Sequence, residues 1–394
     1  YRYDNFHNKE KEDAINGVTS GRQNTDANRY KIGLNLSSKV NDYVKFNSRF
    51  IVGSQANGGW ASLNAGKETN FNANGSRANT QGADVQADVT LSNAYFGFTA
   101  IPNTVVNVGK QGLTTPYTVA VDINGNEQTG TGILALSTFG PITAGAGYFN
   151  NQNLNVNANE VNISLGISGG TTLGLDGGSD LYVATVQGDL DFVKLEAWYL
   201  GMQDTFNSYT LAANGNIDLA ENAKIGLEAR YVNLKLKQDF VGANTETKND
   251  MFRFAVDGKF SIVNARLAYT KTGKNGGLTA LDQDAKNTSL GWAITSNGAV
   301  DADYFQAALG ADILDNLNFT LHYGKIKAKD QTNSTKNFAV DLTDYKAQEV
   351  YGQLTYKMSK NLSTYVRYGT FEEKINSEKT VDQDAGRLQV AYTF

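Results

Sequence analysis

The chain has 394 residues, a net charge of −5, 40 glycines, only three prolines and no cysteine. No cysteine excludes thiol chemistry, disulfides and zinc-thiolate sites. The absence of a long basic run argues against nucleic acid as a partner. No run of about 20 apolar residues is present, so the chain has no transmembrane helix, but a barrel is left open: lipid-facing and lumen-facing residues alternate there, and the average stays polar.

Taken in order, the sequence yields eighteen candidate strands, most of about ten residues, the length of a tilted strand crossing a bilayer. The chain opens inside one of them (Tyr1-Arg2-Tyr3-Asp4), which suggests a processed start. Val44, Phe46, Phe50 and Val52 then alternate with Lys45, Asn47 and Arg49. Ile225, Leu227, Ala229 and Tyr231 alternate with Lys224, Glu228 and Arg230. Phe252, Phe254, Val256 and Phe260 alternate with Arg253, Asp257 and Lys259. Leu317, Phe319, Leu321 and Tyr323 alternate with Asn318, Thr320 and His322, and Leu362, Val366 and Tyr368 with Ser363, Tyr365 and Arg367. In the last strand, 384–394, Leu388, Val390, Tyr392 and Phe394 fall on one face, Arg387 and Gln389 on the other.

Connection lengths alternate too. Short ones fall at Lys39–Asp42, Ala100–Asn103, Phe139–Pro141, Asp189–Asp191, Ala220–Asn222, Phe260–Val263, Asp312–Asn316 and Met358–Asn361. Longer ones, rich in Asn, Gly, Thr, Asp and Lys, span 8–27, 55–88, 111–131, 151–179, 237–248, 273–301, 327–344 and 373–383; the connection at 203–207 is short. The expectation is an all-β protein: one 18-stranded antiparallel transmembrane β-barrel over residues 1–394, with short periplasmic turns and long extracellular loops. In lipid an open edge leaves backbone groups unsatisfied, so the strand at Tyr1 must pair with the last. Eighteen strands leave an aqueous lumen, and its charged lining reads as too polar for a dry core.

Segment 111–131 is less polar than the other loops. Folding it into the lumen would bury Val119, Val121 and Ile123 and project Asp122 and Glu127 into the channel; an ordinary surface loop is the alternative. Arg49, Arg230, Arg253, Arg266 and Arg367 lie on inward faces. Opposite the acids they create a transverse field across a constriction; alternatively they pair with Glu196, Glu228 or Asp257 and only stabilise the wall. Enzyme readings find little: His7 and His322 are the only histidines, and Gly169-Gly170 and Gly177-Gly178 lack the setting of a phosphate loop. Asp282 and Asp284 offer oxygen ligands for a divalent cation but read more simply as a solvated loop.

Several segments resemble the Campylobacter-type major outer-membrane porins of epsilon-proteobacteria: Tyr1-Arg2-Tyr3-Asp4, Asn35-Leu36-Ser37-Ser38-Lys39-Val40-Asn41-Asp42, Val108-Gly109-Lys110-Gln111, Gly130-Thr131-Gly132 and Arg387 to Phe394. The resemblance implies a homotrimeric porin in the outer membrane of a Gram-negative bacterium, passing ions and small hydrophilic solutes by diffusion and needing no cofactor. It also implies a calcium ion near the constriction. The position that aligns with one calcium-binding acid is Asn126, so Asp122 or Glu127 would stand in for it. Phe394 is the expected signal to the barrel-assembly machinery, lipid and lipopolysaccharide surround the wall, and 55–88 is the candidate latch over a neighbouring subunit. A channel specific for anionic or carboxylate solutes and a surface adhesin are the alternatives.

Overall fold

The computed structural model describes residues 1–9, 25–54, 58–63, 88–154, 162–163, 171–172, 175–243, 246–329 and 344–394. Most of the expected latch 55–88, and parts of the expected loops 8–27, 151–179, 237–248 and 327–344, lie outside the described residues.

The strands are β1 (Arg2–Asn8), β2 (Thr25–Tyr30), β3 (Ile32–Asn41), β4 (Val44–Gly53), β5 (Ala61–Ser62), β6 (Asp88–Phe98), β7 (Thr104–Gly112), β8 (Thr129–Phe139), β9 (Ile142–Gln152), β10 (Asn162–Ile163), β11 (Thr171–Thr172), β12 (Leu181–Leu190), β13 (Val193–Met202), β14 (Phe206–Ala220), β15 (Ala223–Leu236), β16 (Lys248–Phe260), β17 (Val263–Thr272), β18 (Ala302–Leu314), β19 (Leu317–Lys329), β20 (Asp344–Lys357), β21 (Leu362–Ile375) and β22 (Glu378–Tyr392). One helical turn, α1 (Gln238–Val241), follows β15. Twenty strands form one sheet; β10 and β11 pair apart from it. β1 pairs antiparallel with β2 on one side and with β22 on the other, from Arg2 opposite Gln389 to Asn8 opposite Gln383.

The alternation sets which face is which. On β16, Phe252 and Phe254 are exposed on the outside, while Arg253 between them and Ala255 after them are buried. Tyr182, Val186, Leu211, Leu267, Leu309 and Val366 continue the exposed apolar outer face. Such an area is a liability in water and the favoured surface in lipid. Tight turns at one rim use left-handed residues, among them Asn103, Asp191 and Ser261.

Two expectations are corrected. The polar run 373–383 is not a long loop: only Asn376 and Ser377 separate β21 from β22, both with positive φ (52° and 71°). Its charges are tied to the sheet instead: Glu372 meets Lys374 on its own strand at 2.9 Å and Lys379 across on β22 at 2.8 Å. The interior is also not wholly wet. Leu113, Tyr117, Leu278 and Leu281 form a buried cluster with wall residues Leu200, Phe206, Val232 and Leu234. Ile294 and Ala299 form a second with Tyr304, Ile326, Tyr345 and Phe371. The first four residues, Ile294 and Ala299 come from connecting segments, so loops supply the apolar side chains that the wall alone does not present.

Candidate functional site

The segment between β7 and β8 lies inside the sheet. Besides Leu113 and Tyr117, it buries the polar residues Thr118, Asp122, Asn126, Glu127 and Gln128. Val121 and Ile123, expected to pack, remain 43% and 39% exposed. Inward folding buries the groups that can hydrogen-bond the wall and leaves the apolar tip facing open space. The tip is a small hairpin: Val121 bridges Glu127, and Gly125 N donates to Asp122 O at 2.9 Å. Gly125 has φ +79°, and a Cβ there would run into the Trp60 indole, so only glycine fits.

Glu127 is the anchor of this hairpin. Its carboxylate accepts from Lys31 Nζ (2.5 Å), Arg49 Nε (3.0 Å) and Ser92 Oγ (2.8 Å). Burial pushes this carboxyl up, but the hydrogen bonds and charges of Arg49 and Lys31 outweigh it, so the group sits below its ordinary value. Arg2 Nη2 holds the tip from the first strand through Ile123 O at 2.9 Å. Asp122 turns inward on its own hairpin, accepting from Asn126 N (2.7 Å) and Nδ2 (2.6 Å). Neither acid is solvent-facing. Lys31, Ser92 and Arg2 were not foreseen; their small numbers of neighbours in sequence give no sign of the contact.

A second segment, 273–301 between β17 and β18, also lies inside. Asp282, expected in a solvated loop, is 1% exposed. The signal was present in the sequence: Leu278, Leu281, Leu290, Ile294 and Val300 give this stretch the same apolar character that singled out 111–131. The two segments hydrogen-bond to each other, Leu281 N to Tyr117 O and Asn287 N to Pro116 O, both at 2.8 Å. Glu349 on β20 accepts from Trp292 N (3.0 Å) and Ala293 N (2.7 Å), pinning the far end.

The arginines divide by role. Arg49 meets Glu127. Arg230, Arg253 and Arg266 converge on Glu228, at 3.3, 2.5 and 3.3 Å, and Arg266 also meets Asp257 at 2.7 Å. One half-buried carboxylate thus offsets the repulsion a bare ladder would carry. Arg230 and Arg253 also hold the second inward segment, through Asn287 Oδ1 (3.2 Å) and Thr288 O (2.5 Å). Glu196 takes no arginine; Trp198 Nε1 and Asn214 Nδ2 donate to it. Arg367 lies among aromatic rings. Phe394 is 81% exposed and stacks on Tyr392.

For calcium, Glu127 does not fit, because two cations and a hydroxyl already occupy its oxygens. Asp122 lies near Asp282 and Asp284 of the second segment. Burial, the Asp284 carboxyl and the charge of Asp122 push Asp282 up to about 10. Asp284 Oδ1 is buried with no hydrogen-bond partner, while its Oδ2 accepts from Ile123 N. Crowded acids with an orphaned oxygen are the donor chemistry a hard cation takes. As the side chains stand, no group of three or more acids or histidines among the described residues forms a ready ligand set.

Between the second segment and strands β16 to β21 remains a cavity of about 450 Å³, lined by Ile123, Arg266, Asp284, Lys286, His322, Tyr351 and Arg367, among others.

An antiparallel sheet that is apolar outside and bears charged groups and inward loops inside defines an outer-membrane barrel of channel type. Solved structures agree. OprD of Pseudomonas aeruginosa is 16% identical, covers 99% of this chain and 90% of its own, and superposes with a TM-score of 0.70. OccAB3 of Acinetobacter baumannii is 15% identical, with 100% and 97% coverage and a TM-score of 0.72. OpdK of Pseudomonas aeruginosa, solved with vanillate, is 13% identical, with 99% and 96% coverage and a TM-score of 0.70. No curated protein matches the sequence. The family described as Campylobacter major outer membrane protein matches residues 1–394, and the chain belongs to it. That family and the barrel fold place it in the Gram-negative outer membrane.

Proposed function

We propose that the chain is a general porin, a passive diffusion channel for ions and small hydrophilic solutes. On this reading β2 and β3 count as one span across Lys31, the two-residue β5, β10 and β11 are set aside, and the resulting eighteen spans would close where β1 pairs with β22 and β2. The observation that carries the reading is the pair of inward segments, bonded to each other and to the wall, beside a charged cavity. They narrow the lumen without filling it. The charge lining that passage is uneven: Arg253, Arg266, Lys286 and Arg367 outnumber Asp284 and Glu349, a distribution that orients polar solutes and disfavours apolar ones. Purified protein in planar bilayers should give discrete ion-conducting steps; a silent bilayer would end the porin reading.

Calcium belongs to the same proposal, moved from Asp122 and Glu127 to Asp122 with Asp282 and Asp284. There it would offset the crowded acids and tie the two inward segments together. Homotrimeric assembly is proposed with it, tested by whether the oligomer survives detergent until boiled.

A second reading, a channel selective for carboxylate solutes, is favoured by the excess of cations over acids lining the cavity. Conductance that saturates with one solute class separates it from the first.

A further inference from the structure

The arginine ladder is largely committed to carboxylates of the wall. Arg230 and Arg253 are buried on Glu228 and on carbonyls of segment 273–301, and Arg266 is shared between Glu228 and Asp257. Arg367 differs. Its Nε and Nη2 both donate to Gln353 Oε1, at 2.9 and 2.6 Å. Nη1 has no hydrogen-bond partner among the described residues, and no carboxylate there forms an ion pair with this guanidinium. The nearby acids are committed elsewhere: Asp4 holds Arg29 and Arg387, and Glu349 holds the backbone of Trp292 and Ala293.

The guanidinium is nevertheless fixed. It lies 5.1 Å from the Trp292 ring centroid, 5.0 Å from Tyr351 and 5.4 Å from Tyr365. Cation–π contacts hold a charge in place without neutralising it. Tyr351 is itself set: His322 stacks on it at 4.5 Å, Trp292 meets it edge-on at 5.5 Å, and Gly369 opposite leaves the room a Cβ would take. Arg367, Tyr351 and His322 all line the cavity. A planar cation with a free donor, backed by rings and open to a solute-sized space, matches a carboxylate.

We propose that Arg367 is a carboxylate-binding subsite of the pore, with Tyr351 and His322 as the flat surface beside it for the organic part of the solute. The proposal rests on the porin reading. A solute held here pauses in transit, so its flux saturates while that of simple salts does not.

The test uses benzoate as probe, titrated into planar bilayers holding the full-length protein in potassium chloride. Wild type should show saturable reduction of conductance by benzoate but not by benzyl alcohol. Arg367→Gln should weaken the half-saturation by about tenfold or more, the factor a charge-assisted hydrogen bond supplies. Arg367→Lys, which keeps the charge and loses the fork, should fall between. Lys39→Gln, exposed near the end of β3, should match wild type. If wild type conducts but benzoate does not saturate, or if Arg367→Gln conducts and saturates like wild type, the subsite is refuted and the porin reading survives. A wild type without conductance overturns both. Should Arg367→Gln fail to fold, the wild-type titration against benzyl alcohol and the Arg367→Lys variant still decide.

Discussion

Glu127→Gln tests how the first inward segment is held. The substitution preserves shape and removes one charge from a site where Lys31 and Arg49 are 9% and 19% exposed at their side chains. Removing one partner of a buried pair costs about 3–5 kcal/mol, because the remaining charges stay desolvated. The lower end applies here: Arg49 keeps Asn35 Oδ1 at 2.9 Å and Lys31 keeps Gly125 O at 2.5 Å. About 3 kcal/mol is a factor of more than one hundred in the seated population of the tip. The segment should not leave the lumen, since Tyr117 O and Pro116 O still bind 273–301. The expected result is added open-channel current noise and a reversal potential shifted toward anions, because two cations lose their compensator. Acid should reproduce the noise. A carboxyl with a lowered folded pKa contributes stability above its ordinary value of 4.5 and loses it as pH falls through the folded value. Wild-type noise should therefore rise only below pH 4.5. A variant with wild-type noise and reversal potential would refute the anchoring role.

Leu281→Ala removes a fully buried side chain from the apolar cluster and should weaken seating of 273–301 by about 2–5 kcal/mol. Since the chain has no cysteine, Ala285→Cys (a 2% exposed position) reports this directly: its alkylation should be slow alone and fast with Leu281→Ala. Calcium binding at Asp122, Asp282 and Asp284 must displace the proton held by Asp282. Apparent affinity by calorimetry should then rise about tenfold per pH unit from 6 to 9, and a flat profile would remove Asp282 from the site. Phe394→Ala should lower the amount of barrel assembled in the outer membrane while leaving the thermal stability of the purified protein within about 0.5 kcal/mol, because an exposed terminal ring packs on little. Equal loss of stability would make Phe394 a packing residue instead.

Much of the wall was legible because a strand has a period of two. Phe252 and Phe254 had to share a face opposite Arg253 whatever they packed against, and the same alternation set Arg387 and Gln389 against Leu388 and Val390. The charged run 373–383 misled because charge marks loops and cross-strand ion pairs alike; only the partner strand tells them apart. Segment 111–131 was readable from its apolar content. Segment 273–301 carries the same mark, but Asp282, Gln283 and Asp284 interrupt it and read as solvated loop.

The sequence by itself determined the class of fold, the two faces of each strand and the outer-membrane setting, because alternation and loop composition are local properties. Only the tertiary structure decided what the charges do. Whether Glu127 lines a passage or anchors a loop depends on Lys31 and Ser92, distant in sequence. Whether an arginine faces solute or a carboxylate depends on Glu228 having gathered three of them while Asp4 and Glu349 were committed elsewhere, leaving Arg367. Electrostatic roles are set by neighbours in space, and no periodicity in the chain encodes them.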